Sequence, residues 1–194
     1  MRKVTTWAVS IAAVLMALPA NAAMLTFYRE LGPEAQGAAG TGWARATFDT
    51  DTFDMRVEAS FEGLSGVTTV AHIHCCTRVP ETGTIGVATY PGTFPGFPVG
   101  VSAGAYDTTF DMTLASSYTT NFINNFGGGT VPGAFAALLA GLDAGRGYFN
   151  VHSNRFPGGE IRGFLRAVPE PGALVLLGLG LLAVAVTLRS RRRG

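Results

Sequence analysis

The sequence predicts a mainly β protein: an antiparallel β-sandwich, Greek-key-like, with one or two short helices, an N-terminal signal helix and a C-terminal transmembrane helix. Three observations predict it. Phe53, Met55, Val57, Ala59 and Phe61 alternate with Asp54, Arg56, Glu58 and Ser60; Gly and Pro interrupt the middle of the chain at short intervals; and the two apolar runs of note lie at its ends. Period-two alternation gives a strand one buried and one wet face, and closely spaced turn residues favour many short strands over long helices.

At the N-terminus, Arg2 and Lys3 precede an apolar run over residues 7–18 and then Pro19-Ala20-Asn21-Ala22-Ala23. Charged, apolar and small regions in that order make residues 1–22 a secretory signal peptide, with signal peptidase expected to cut after Ala22. The run is too short to persist as a membrane span.

The alternating segment 53–61 forms a hairpin with the strand-like segment 42–48, because Asp49-Thr50-Asp51-Thr52 supplies the turn between them. Further strands are expected at 25–30, 69–74, 85–89, 108–114, 147–152 and 160–165. Helices are expected at 116–125 and 132–142, the second opening on Pro132 and closing near Gly145. Residues 76–106 hold a Gly/Pro-rich stretch that includes Pro91-Gly92-Thr93-Phe94-Pro95-Gly96-Phe97-Pro98. A loop of that length is expected to cover a site or to be a disordered insert.

With both ends set aside, eight arginines face twelve acidic residues, a balance of −4, and no lysine remains. The net +1 of the whole chain comes from six basic residues in the two ends. Nothing in the middle presents the basic surface that nucleic acid requires.

All three histidines fall in two strand-like motifs, Val70-Ala71-His72-Ile73-His74 and Tyr148-Phe149-Asn150-Val151-His152. Residues two apart in a strand share a face, so His72 pairs with His74 and Asn150 with His152. If the two strands are neighbours, three imidazoles converge on the outer face of the sheet, a donor set suited to copper or zinc. Cys76 joins that face if the strand continues regularly. The metal-ligand set is therefore His72, His74, His152 and Cys76. A purely structural role, with imidazoles bonded to loops, is the alternative. Adjacent Cys75 and Cys76 leave four states open: a strained bridge, an intermolecular bond, free thiols or metal ligation. Glu160 is expected to pair with Arg155 or Arg162, or else to orient an imidazole.

At the C-terminus, Val168-Pro169-Glu170-Pro171-Gly172 leads into sixteen apolar or small residues, 173–188, and then Arg189-Ser190-Arg191-Arg192-Arg193. Such a helix is about 25 Å long, enough for a thin bilayer, with its arginines on the cytoplasmic side. Residues 168–194 resemble the PEP-CTERM sorting signal. That resemblance implies processing by exosortase, a membrane transpeptidase, near Pro-Glu-Pro. The membrane helix would then be transient, and the protein would pass from the outer face of the inner membrane to the outer surface or extracellular matrix. A simple tail anchor with a stiff Pro-Glu-Pro spacer is the alternative.

Three further blocks carry a second resemblance: Phe61-Glu62-Gly63-Leu64-Ser65-Gly66, the two histidine motifs, and Pro157-Gly158-Gly159-Glu160-Ile161-Arg162-Gly163. Over residues 25–165 these resemble the CHRD domain, a module named from chordin, for which the resemblance implies no catalytic activity. The expected function is thus an exported envelope or matrix protein with a non-catalytic binding or structural domain, able to bind metal and facing an envelope or matrix partner. The His-x-His strand, long loop and Gly-rich late strand are also similar to copper/zinc superoxide dismutase, which implies a copper- or zinc-dependent redox enzyme as the alternative. That family uses more metal ligands than three histidines supply.

Overall fold

The computed structural model describes residues 24–169 and 179–181. The expected signal peptide and C-terminal transmembrane helix lie outside the described residues, among which no helix is long and apolar enough to cross a membrane. Among the described residues, eight strands and two short α-helices follow in the order β1 (Met24–Pro33), β2 (Thr41–Asp49), β3 (Asp54–Glu62), β4 (Thr68–His74), β5 (Gly104–Asp111), α1 (Thr120–Asn125), α2 (Val131–Asp143), β6 (Tyr148–Ser153), β7 (Ile161–Phe164) and β8 (Arg166–Ala167).

The alternating segment builds the hairpin that period two requires. β2 and β3 pair antiparallel from Thr41 opposite Glu62 to Asp49 opposite Asp54. Ala44, Ala46 and Phe48 of β2 and Met55, Val57, Ala59 and Phe61 of β3 are buried on one face. The turn tightens through Asp49, whose Oδ1 accepts from the amides of Asp51 (2.9 Å) and Thr52 (3.1 Å). Phe53 belongs to this turn rather than to the strand and has a positive φ of 61°.

All pairings are antiparallel, and the strands run β4-β6-β7-β1-β2-β3-β5 in one continuous sheet, with β8 paired to β1. The long β1 makes this continuity. Its residues 24–31 bond to β2 and its last two, Gly32 and Pro33, bond to β7. One strand passing between two partners bends the sheet into a curled half-barrel. The core fills its concave side, where Phe94 sits between Phe110 (ring centroids 5.4 Å apart) and Phe149 (6.0 Å).

The expected strand at 85–89 is instead loop, making only isolated bridges from Val87 to His74 and from Thr89 to Tyr118. Its bonding explains the difference. The free edge of β4 is satisfied piecemeal by residues 88–101: the amides of Ala88 and Phe94 donate to Ile73 and Ala71 (2.9 and 3.0 Å), and the Thr89 and Thr93 hydroxyls accept from the amides of Ile73 and Ala71 (3.1 and 2.9 Å). Side-chain oxygens replace half of a ladder, so no regular strand forms. The expected loop is accordingly a fixed cover that protects a sheet edge.

The expected helix at 116–125 divides into a 3-10 turn, Ala115–Ser117, and α1. α2 matches its expected span closely, with the Thr130 side chain accepting from the Gly133 amide and Pro132 in the first turn. Its Phe135 meets Phe48 and Phe53 (6.0 and 5.2 Å), which packs α2 against the β2–β3 hairpin.

Candidate metal centre

β4 and β6 are neighbours, in a register that sets His72 opposite Asn150, His74 opposite Tyr148 and Val70 opposite His152. The three imidazoles therefore meet. Their ligand atoms all lie within 4.8 Å of one another, and His72 Nε2 is 3.0 Å from His152 Nε2. Each residue is buried, at 6%, 8% and 6% exposure for His72, His74 and His152. The expected outer face is thus a covered one, because the loop after β4 and the turn after β6 close over it.

Those covers also fix the rings. His72 Nδ1 lies 2.7 Å from the carbonyl oxygen of Gly92, His74 Nδ1 2.6 Å from that of Ile85, and His152 Nδ1 2.9 Å from that of Pro157. A carbonyl only accepts, so every Nδ1 carries a proton and every neutral ring turns a bare Nε2 lone pair inward. Two such lone pairs at 3.0 Å repel unless a cation lies between them. A proton on His72 or His74 is disfavoured there. Burial pushes the pKa of His72 down to about 4 and that of His74 down to about 4, despite the opposing pull of the Gly92 and Ile85 carbonyls.

A metal ion suits it better. Copper or zinc bonds of about 2 Å bring nitrogens to within about 4 Å of one another, a ring movement of less than about 1 Å from this arrangement. His74 Nε2 is buried without a hydrogen-bond partner, as a vacant ligand would be. Carbonyl-bonded Nδ1–H groups are also the usual outer support of metal-ligating imidazoles. The residues fit the metal.

Aromatic packing holds one ligand further. Tyr148 lies flat on the His74 ring (4.7 Å, 7° between planes), and the Arg162 guanidinium stands 5.0 Å above Tyr148. Arg162 is held in turn by Glu34 (3.0 Å) and by the Gly83 carbonyl (3.1 Å). Asn150 could be placed beside His152 from the period of the strand, whereas Glu34 and the three carbonyl anchors carried no sequence signal.

Cys76 is not in this cluster. β4 ends at His74, and Cys75 and Cys76 are joined in a disulfide across a cis peptide bond. A disulfide sulfur is no thiolate ligand. Both sulfurs lie on Gly141 of α2, where a Cβ would stand 2.2 Å from Cys76 Sγ and 2.4 Å from Cys75 Sγ, so only glycine fits under the bridge.

Glu160 differs from both of its expected roles. Arg162 pairs with Glu34, and Arg155 donates to the Ser65 carbonyl. The fully buried Glu160 carboxylate instead accepts from the amides of Ser65 and Gly66, the latter at 3.3 Å. Burial alone would raise its pKa, but hydrogen bonds from Ser153, Ser65 and Gly66 outweigh that and hold the carboxyl below its ordinary range. Because the folded pKa is the lower one, this contribution is complete above the unfolded carboxylate range and is lost as pH falls through the lower folded value. Glu160→Gln is expected to cost about 1–3 kcal/mol near neutral pH. Urea unfolding should show that cost shrinking at acid pH.

Fold and cluster together define the class: an antiparallel β-domain with a buried, three-histidine candidate metal centre. The CHRD domain model matches residues 22–165, and the chain belongs to the CHRD domain family. The PEP-CTERM protein-sorting motif matches residues 167–193, which marks an exported protein of the cell envelope that exosortase processes. No curated protein and no solved structure matches the chain.

Proposed function

We propose that the chain is an envelope or extracellular-matrix protein whose CHRD domain is a non-catalytic metal-binding module, with His72, His74 and His152 holding one copper or zinc ion through Nε2. The observation that carries this reading is the convergence of three carbonyl-anchored imidazoles with their lone pairs inward. A bound ion would supply positive charge and an open coordination position, through which the domain could engage a partner. Elemental analysis of the purified mature domain tests it. About one equivalent of copper or zinc is expected, and less than about a tenth of an equivalent removes the reading.

The same proposal has signal peptidase cut after Ala22 and exosortase cut near Pro169-Glu170-Pro171, so that membrane attachment is transient. What supports it is that Met24 opens β1 and the Val168 amide donates to the Thr26 carbonyl at 2.8 Å, so the segments just inside the two proposed cuts lie side by side. Mass spectrometry of the mature protein should find both end segments gone. Peptides containing Arg193 at full abundance would contradict it.

A further inference from the structure

Among the described residues, three buried side-chain atoms have no hydrogen-bond partner: His74 Nε2, Asn150 Oδ1 and Glu34 Oε2. They belong to one place. Asn150 is the cross-strand partner of His72 and sits two residues from His152 on the same face of β6. On its other side it faces Arg162 of β7, the residue that holds Glu34 through Oε1. The second Glu34 oxygen and the Asn150 amide both crowd Gly159, where a Cβ would stand 2.1 Å from Glu34 Oε2 and 2.8 Å from Asn150 Oδ1.

Buried polar atoms are nearly always paired, so three orphans on neighbouring residues call for an occupant. Their chemistry specifies it. His74 Nε2 offers a lone pair and needs a cation. Asn150 Oδ1 and Glu34 Oε2 are acceptors and need O–H or N–H donors. A bare metal ion on the three imidazoles satisfies the first orphan and leaves the others unmet. We propose that the centre holds, in its open coordination position, one small protic ligand that donates hydrogen bonds to Asn150 Oδ1 and Glu34 Oε2, with water as the resting occupant. This rests on the three-histidine metal reading. It assigns Asn150 and Glu34 as the residues that select a donor-bearing ligand, and Arg162 as the group that positions Glu34.

The test loads the wild-type domain, Asn150→Leu and Asn150→Asp with one equivalent of copper(II) and records electron paramagnetic resonance in water enriched in oxygen-17. Copper(II) is a sound probe, since a nitrogen site that takes zinc takes copper(II) more tightly. Line broadening by oxygen-17 is expected in wild type and in Asn150→Asp, which keeps an acceptor in place. Asn150→Leu should bind copper but lose at least half of that broadening. Full broadening in Asn150→Leu would mean that Asn150 serves only the local packing and overturns the inference. So does wild type that binds copper without broadening, an outcome that needs no variant to fold. Wild type that takes up no copper removes the metal reading, and this one with it.

Discussion

Phe94→Ala is expected to lower the unfolding free energy by about 3–5 kcal/mol, the range for truncating a fully buried aromatic ring. Phe94 belongs to the Gly/Pro-rich segment expected to cover a site or to be a disordered insert, and it is wholly buried. Its ring contacts Phe110, Phe149, Tyr106 and Tyr90, so removing it opens a cavity between the sheet and the loop. Its amide donates to Ala71 on the free edge of β4, and Gly92, two residues earlier, supplies the carbonyl that orients His72. Loss of the ring should therefore reach the histidines as well as the core. Urea titration should show a lowered midpoint with little change in slope, and hydrogen exchange should accelerate at the amides of Ala88 and Phe94. Val99→Ala provides the contrast. That side chain is 53% exposed on the same loop, and its loss should stay within about 0.5 kcal/mol. Equal effects from the two substitutions would show that the loop is held by its hydrogen bonds alone.

What could be seen in the sequence follows the range of the forces involved. The β2–β3 hairpin was legible because Met55, Val57, Ala59 and Phe61 alternate strictly with polar residues and the turn satisfies itself through Asp49. α2 was legible from Pro132 and Gly145, both local signals. The strand expected at 85–89 failed because its partners are hydroxyls and amides spread along a loop, a pattern with no period. That His72 and His74 share a face is local. That His152 joins them depends on β4 pairing with β6 across some eighty residues, which the motifs suggested but could not fix. Cys76 was placed with the histidines by extending the strand two residues past its end, where the chain instead folds its sulfurs onto α2. Glu160 was assigned to nearby arginines because opposite charges attract in any conformation, whereas its actual partners, the amides of Ser65 and Gly66, become available only when a distant turn packs against it.

Zinc at a hundredfold excess over its dissociation constant is expected to stabilise the wild-type domain by about 2.7 kcal/mol, on the order of 8 °C in the unfolding midpoint for a domain of this size. His152→Ala should abolish that gain. His152 is the choice because it alone comes from β6, so its loss takes away the ligand that ties two strands together through the ion. Without metal, the same substitution has two opposing consequences. It removes the Nδ1 bond to the Pro157 carbonyl, worth about 1 kcal/mol, and it relieves the lone-pair contact with His72 at 3.0 Å. The metal-free midpoint should consequently move little while the zinc-dependent shift disappears, a separation that general damage to the fold would not produce. The chain contains only these three histidines, so no other imidazole can mimic the effect. Differential scanning calorimetry of both proteins, with zinc and with a chelator, reads all four midpoints. A full zinc shift persisting in His152→Ala would assign the stabilisation to surface carboxylates and leave the three imidazoles with a structural role.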